Sequence, residues 1–298
     1  MLNECLHAQL AGVVDAIPER ASASAAQFGC PAYGNHRELI GKVDAAIVAV
    51  PTSAHAEVGC DLMEAGIDVL VEKPIAPDRE SARRLIDTAE RRSRILMIGH
   101  LERFNPAVMA LKKIATHPLF FEIHRMSLFS PRSLDIDVVL DLMIHDLDII
   151  LDLVGSAPEE VRAAGISILS EKVDIANVRL AFPTGCVANL TASRVSTERI
   201  RKLRLFQPGQ YISLDYSRQE AAAFAVQGGQ KIDFQMLPVE KGEPLKVEVA
   251  HFLECVAERQ APMVSGADGL RALDAALDIL ANIEEHAQVV GRQLKSVR

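Results

Sequence analysis

Val69-Leu70-Val71-Glu72-Lys73-Pro74 is the stretch on which the fold turns. Three consecutive apolar residues read as a short buried strand, stopped by a carboxylate, an amine and a proline. In an open parallel α/β sheet, ligands bind just outside the carboxyl ends of the strands. A Glu-Lys pair placed there marks a site of chemistry. The plainer alternative is a solvated lysine at a strand end, with Pro74 merely stopping the strand. The flanking sequence decides between them.

Upstream, Leu10 to Asp15 is an apolar run ending in an acid. Pro18 to Phe28 has Ala-rich helical composition closed by Gly29, Ala32-Tyr33 reads as a short strand, and Asn35 caps a short helix through Ile40. Asp44 to Val50 reads as a buried strand, and Thr52 or Ser53 caps a helix that Gly66 stops. Downstream, Asp78 caps a charged helix to about Ser93, and Ile95 to Gly99 is a further strand. Apolar strands separated by helices predict a parallel sheet covered by helices, a doubly wound nucleotide-binding arrangement.

Such a domain ordinarily opens with a strand and Gly-x-Gly-x-x-Gly, whose glycines let the backbone approach a pyrophosphate. No Gly-x-Gly occurs in the sequence. The acid that holds ribose hydroxyls normally ends the second strand, and Asp15 stands in that place; its alternative is a turn residue at a strand end. The expectation is an N-terminally truncated Rossmann-type sheet that binds NAD poorly as given, with the first strand and glycine loop encoded upstream.

From Asn105 the pattern changes. Asn105 to Thr116 reads as a helix and Leu119 to Phe129 as extended. Strands with alternation and turn signals run from Glu160 to about Met236, which predicts an open, mainly antiparallel sheet. Two helices, about Lys246 to Arg259 and Ala267 to Ala287, close the chain. The expected division is residues 1–103 and 104–298, the second an α+β domain. Between these strands and the first helix lies Asp137 to Val154, apolar except for Asp141, His145, Asp148 and Asp152 at spacings of four, three and four. That stripe is either a His general base with an acid one turn earlier, a polar helix edge meeting water, or a metal site of His145 and two Asp.

Composition narrows the function classes. The chain has 298 residues, 49% hydrophobic and 24% charged, and a net charge of -8, which argues against nucleic acid or an anionic membrane as partner. Its five cysteines (Cys5, Cys30, Cys60, Cys186, Cys255) contain no Cys-x-x-Cys and read as reduced thiols of a cytoplasmic protein. No apolar run is long enough to span a bilayer, and no signal peptide is apparent.

AIVAVPTSAHAEV, VLVEKPIA, ILMIGHLERFNPAV and the Asp141-x-x-x-His145 segment, in that order, resemble the Gfo/Idh/MocA family of NAD(P)-dependent oxidoreductases. The resemblance runs from about Leu10 to the C-terminus. It implies a Rossmann domain followed by an α+β domain whose sheet is often used for oligomerisation, here as a homodimer or homotetramer. It assigns Lys73 to contact with nicotinamide and substrate, with Glu72 holding it in place. His145 becomes the acid/base, and Asp141 the acid that orients the reacting hydroxyl. Asp15 becomes the adenosine-ribose acid, favouring NAD over NADP. Val50, Pro51, Thr52 and His55 would line the nicotinamide ribose, and the Lys73-Pro74 bond is expected to be cis.

The run around ERFNPAV and SPRSLDIDVVLDLMIHDLD is most similar to the nucleotide-sugar members, of the UDP-N-acetylglucosamine 3-dehydrogenase type. These act ahead of amination in lipid A or surface-glycan biosynthesis. On that resemblance Arg103, Asn105 and Arg132, with Arg194 and Arg199, are candidates for holding substrate, each arginine having a solvated surface role as its alternative. The implied activity is NAD-dependent oxidation of a secondary hydroxyl on a UDP-amino sugar. Oxidation of a free sugar or inositol, and nucleotide or sugar sensing without turnover, are the alternatives.

Overall fold

A computed structural model describes residues 8–129, 135–227 and 231–296. The chain divides into two compact units: residues 1–100 with 245–270, and residues 101–244 with 271–298.

In the first unit, β1 (Val13–Val14) pairs in parallel with β2 (Ala32–Tyr33). β3 (Ala45–Val48), β4 (Asp68–Glu72) and β5 (Leu96–Gly99) form a parallel sheet in the order β3-β4-β5. The helices between them stop where their sequence says. α1 (Pro18–Phe28) has Pro18 in its first turn and ends on Gly29 at φ 66°, a left-handed position that costs glycine nothing. α2 (His55–Glu64) is followed by Gly66 at φ 89°. α3 (Arg79–Arg92) is capped by the Asp78 carboxylate, which accepts the Ser81 N–H at 2.8 Å. Asn35 and Glu38 form a reciprocal capping box on the short 3-10 turn His36–Leu39.

Two local expectations differ. The strand expected over Asp44 to Val50 is only Ala45–Val48, with Val48 alone buried, because β3 is an outer strand of its three-stranded sheet. Neither Thr52 nor Ser53 caps α2: Pro51 leads into a 3-10 turn over Thr52–Ala54, and no side-chain cap forms.

The domain division is corrected as well. α6 (Pro244–Glu258) and the first turn of α7 (Gly266–Ser296) belong with the first unit, not with the strands that precede them. The reason is in the contacts. Arg259 pairs with buried Asp68 at the head of β4 and donates to the Ser93 carbonyl. The Ile98 N–H donates to the Val264 carbonyl at 3.0 Å. At Gly269 a Cβ would stand 2.8 Å from Ile98, so only glycine lets α7 approach β5 that closely.

The second unit carries an eight-stranded sheet in the order β13-β12-β11-β10-β6-β9-β8-β7. Its strands are β6 (Phe120–Leu128), β7 (Glu160–Ile166), β8 (Ile175–Ala181), β9 (Val187–Ser196), β10 (Ile200–Gln207), β11 (Gln210–Asp215), β12 (Glu220–Gln227) and β13 (Lys231–Met236). Every pair is antiparallel except β6 with β9. Along β6, Phe121, Ile123 and Arg125 are buried while alternate residues are not, so one face is covered. The cover is α4 (Pro106–Ile114), α5 (Ile144–Val154) and the later turns of α7, whose Leu111, Leu147, Ile150, Ala276 and Ile279 share a core with Leu203, Leu205 and Ile212. Among the described residues no helix is long and apolar enough to cross a membrane.

Candidate active site

In the first unit, the carboxyl ends of the parallel strands gather the cofactor candidates. Asp15 follows β1, Val50 and Pro51 follow β3, and Glu72 ends β4 with Lys73 next in chain. One Asp15 oxygen accepts the Ile17 N–H at 2.8 Å, which makes it a turn residue at the entry to α1. Val50 and Pro51 are exposed, and Thr52 is half-buried. Strand ends of this kind are where a dinucleotide is held in an open α/β sheet, and an acid after β1 suits ribose hydroxyls. The residues present therefore fit the ribose side of a nicotinamide dinucleotide, while the glycine loop that would approach its pyrophosphate is not among them.

His55 does more than line that edge. It is 1% exposed, its Nε2 lies 2.9 Å from the Val50 carbonyl, and its Nδ1 lies 3.0 Å from the Pro74 carbonyl. It ties the end of β3 to the loop after β4. The Lys73-Pro74 bond is cis. The Glu72 carboxylate accepts the Lys73 backbone N–H at 3.2 Å. Gly99 gives that carboxylate room, since a Cβ there would stand 3.1 Å from its oxygen.

In the second unit, the expected polar stripe divides. Val139–Met143 is a π-helical turn, so the segment is not one regular α-helix and the 3.6-residue spacing argument fails across it. Asp141 lies within this turn and His145 in the first turn of α5, both half-buried. The wider turn is a common feature of functional sites. Asp148 and Asp152 point elsewhere. Both pair with Arg103, the Asp148 contact being 2.9 Å, and Lys112 also reaches Asp152. Burial raises the Asp152 pKa, but its hydrogen bonds from Lys112 and Arg103 win and hold it below the usual range.

The substrate candidates separate in the same way. Arg103 is 4% exposed and committed to those carboxylates. Asn105 is buried, caps α4 through the Ala107 N–H, and donates to Glu102 at 3.0 Å and the Tyr216 carbonyl at 3.1 Å. Arg194 is buried beside Asp174 and donates to the Ile136 carbonyl. Arg199 is exposed, and Arg132 lies outside the described residues. Among the described residues, no group of three or more His, Cys, Asp and Glu side chains is arranged to hold a metal ion.

Asp146, next to His145 in the chain, belongs to a buried network that the sequence reading missed. Arg125 donates to both oxygens of Asp146, at 2.7 and 2.9 Å, and to Glu102 at 3.0 Å. Its guanidinium lies over the Tyr216 ring, 4.9 Å from the centroid. Burial alone would lower the Arg125 pKa, but Asp146 and Glu102 raise it, so the charge is permanent. One signal was available: Arg125 follows Phe121 and Ile123 at strand period, on the buried face.

The comparisons with known proteins agree with the fold. Residues 1–100 match the oxidoreductase family with an NAD-binding Rossmann fold, and residues 124–206 match the GFO/IDH/MocA C-terminal domain. The chain belongs to this oxidoreductase family and is an enzyme acting on CH–OH groups. It is 38% identical over 286 residues to the UDP-N-acetylglucosamine 3-dehydrogenase of Acidithiobacillus ferrooxidans, covering 94% of this chain and 91% of that protein. A solved structure of that enzyme has a TM-score of 0.90 at 37% identity, covering 94% of this chain and 92% of the other. The inositol 2-dehydrogenase of Rhizobium meliloti is 25% identical, over 95% of this chain and 91% of its own length.

Proposed function

We propose that this protein is an NAD-dependent dehydrogenase that oxidises a secondary hydroxyl of a UDP-amino sugar, the 3-hydroxyl of UDP-N-acetylglucosamine in the first instance. The observation that carries the reading is the 38% identity, over 94% of the chain, to an enzyme of that name. The bound nicotinamide supplies the acceptor for the hydride that leaves the alcohol carbon. His145 takes the hydroxyl proton as general base, which suits an imidazole near neutral pH. Asp141, one turn earlier, orients the hydroxyl. Lys73 donates to the oxygen and stabilises the alkoxide as it develops, while Glu72 holds the lysine's backbone. Alcohol carbon and oxygen together lose one hydride and one proton, leaving a ketone.

Asp15 carries the preference for NAD, since it would repel a 2′-phosphate. Arg103 and Asn105, given their burial and partners, serve by fixing α4 and α5 rather than by touching substrate. The relationship to inositol 2-dehydrogenase favours a polyol or free sugar as the second reading.

The test is NAD reduction over UDP-N-acetylglucosamine, other UDP-sugars, free N-acetylglucosamine and myo-inositol, run on the protein carrying the expected upstream strand and glycine loop as well as on the chain as given. Reduction with the UDP-amino sugar and a keto product is expected; reduction with inositol or free sugar alone would transfer the assignment. Lys73→Ala should lower kcat at least about 100-fold, the usual cost of removing a donor to a developing oxyanion. Unchanged turnover would take Lys73 out of the mechanism.

A further inference from the structure

The second unit holds a cation whose partners fall short of it. Arg201 stands at the start of β10 and alternates with Leu203 and Leu205, so it lies on the covered face of the sheet. Those leucines are fully buried, whereas the Arg201 side chain is 36% exposed, so the cover ends at this position. Its register partner on β6 is Arg125, and its own carbonyl accepts the Tyr216 N–H at 3.0 Å. The acids of this corner are already taken. Both Asp146 oxygens accept from Arg125, and Glu102 accepts from Arg125 through Oε1 and from Asn105 through Oε2. The Arg201 Nη1 lies 4.0 Å from the same Glu102 Oε1, and among the described residues its side chain donates no hydrogen bond. Burial first, and the Arg125 charge second, press its pKa down, as befits a cation short of compensation. It stays charged nonetheless, as arginine does. With exposed Arg199 two residues earlier, three guanidinium groups stand against two carboxylates.

We propose that Arg201 is a substrate-binding residue, which takes the diphosphate of a nucleotide-sugar whose sugar ring stands at His145. A half-buried guanidinium with its N–H donors open suits a phosphate oxyanion, held through two parallel bonds. Its place in the sheet suits that substrate. Arg125, its neighbour across the strands, grips Asp146, the residue next to His145 at the head of α5, so the anion site lies one strand away from the group that braces the general base's helix. This inference rests on the reading of the substrate as a UDP-sugar, and it names the residue that tells such a substrate from a free sugar.

Calorimetric titration of the full chain with UDP and with uridine tests it. Losing one charge-assisted contact to phosphate should weaken UDP binding about 10- to 100-fold in Arg201→Gln and leave uridine binding unchanged. Arg201→Lys should recover part of the loss, since it returns the charge without the fork. A wild type that does not bind UDP overturns the proposal. So do equal UDP binding by wild type and Arg201→Gln, and equal losses of UDP and uridine. In turnover, Arg201→Gln should raise KM for UDP-N-acetylglucosamine by a similar factor and keep kcat, because the contact is made alike in ground and transition states. A fall in kcat at constant KM would make Arg201 a part of the Asp146 brace and overturn its role in binding. If the protein oxidises only inositol or free sugar, the proposed substrate fails, while the UDP titration still decides the role of Arg201.

Discussion

At the residue scale, two buried side chains of the first unit have effects that do not depend on a substrate. His55 meets a carbonyl with each ring nitrogen, and both carbonyls flank residues assigned to the cofactor and to the chemistry. His55→Phe keeps most of the volume and removes the ring N–H, leaving a buried carbonyl short of its donor. That should cost roughly 1–3 kcal/mol of unfolding free energy in a urea titration, and an unchanged midpoint would show that His55 ties nothing. Glu248 should leave a mark on stability with a definite sign. Burial first, and Glu72 second, push its folded pKa up to about 8, above the ordinary glutamate value of 4.5, so the folded state holds a proton that the unfolded state has released. Stability is therefore lost as pH rises from the unfolded value through the folded one, and the loss is complete above it. Glu248→Gln removes this slope. Its melting temperature should match the wild type near pH 4 and exceed it increasingly toward pH 8, the difference in unfolding free energy having a ceiling of roughly 5 kcal/mol set by the size of the shift. Parallel curves for the two proteins would mean that Glu248 is an ordinary acid.

At the scale of elements, the Arg125–Asp146–Glu102 network is a brace between β6, α5 and the turn before α4. Arg125 comes from the strand, Asp146 from the helix and Glu102 from the turn, and all three side chains are buried. Removing one partner strands the others in a low dielectric. Asp146→Leu should cost about 3–5 kcal/mol, read by denaturant melts, and Arg125→Met with Asp146→Leu should recover much of it. A near-neutral single variant would mean that Arg125 has found other compensation. The same elements show what the sequence made legible. Caps were readable because they are local: Asn35, Asp78, Gly29 and Gly66 act on backbone within four residues of themselves. The Lys73 and His145 segments were readable as ordered motifs. The return of α6 to the first unit was not, because it rests on Arg259 with Asp68 and on Ile98 with Val264, contacts more than 160 residues apart in chain. The π turn was hidden as well, since Asp137 to Val154 keeps helical spacing whether or not one turn is widened. Arg125 and Glu248 were overlooked for a different reason. A charge in a strand or helix reads as solvated, although both fall on the buried side of their own periodicity.

At the scale of the molecule, the uncovered face of the eight-stranded sheet carries a ladder of aromatic rings. Phe120, Phe206, Tyr211, Phe224 and Phe234 follow one another across β6, β10, β11, β12 and β13, with centroids 4.8–5.7 Å apart. Phe206 and Phe234 are 36% and 56% exposed, and Val226, Ile232 and Met236 beside them are more than half exposed. A monomer gains nothing from leaving such a row in water, and a contiguous apolar patch of this kind marks an interaction surface. A second copy of the chain is the occupant we propose, which makes the enzyme a homodimer or homotetramer through this sheet. Val226→Lys with Phe234→Lys places two cations in the patch at positions already facing solvent, where the cost to the folded monomer is expected to stay within about 1 kcal/mol. By light scattering at micromolar concentration, the wild type should appear as a multiple of the 32.5 kDa chain and the double variant as the chain alone. A wild type that is monomeric under those conditions would assign the ladder to some other partner. A variant that remains oligomeric while keeping its melting temperature would move the interface off this face.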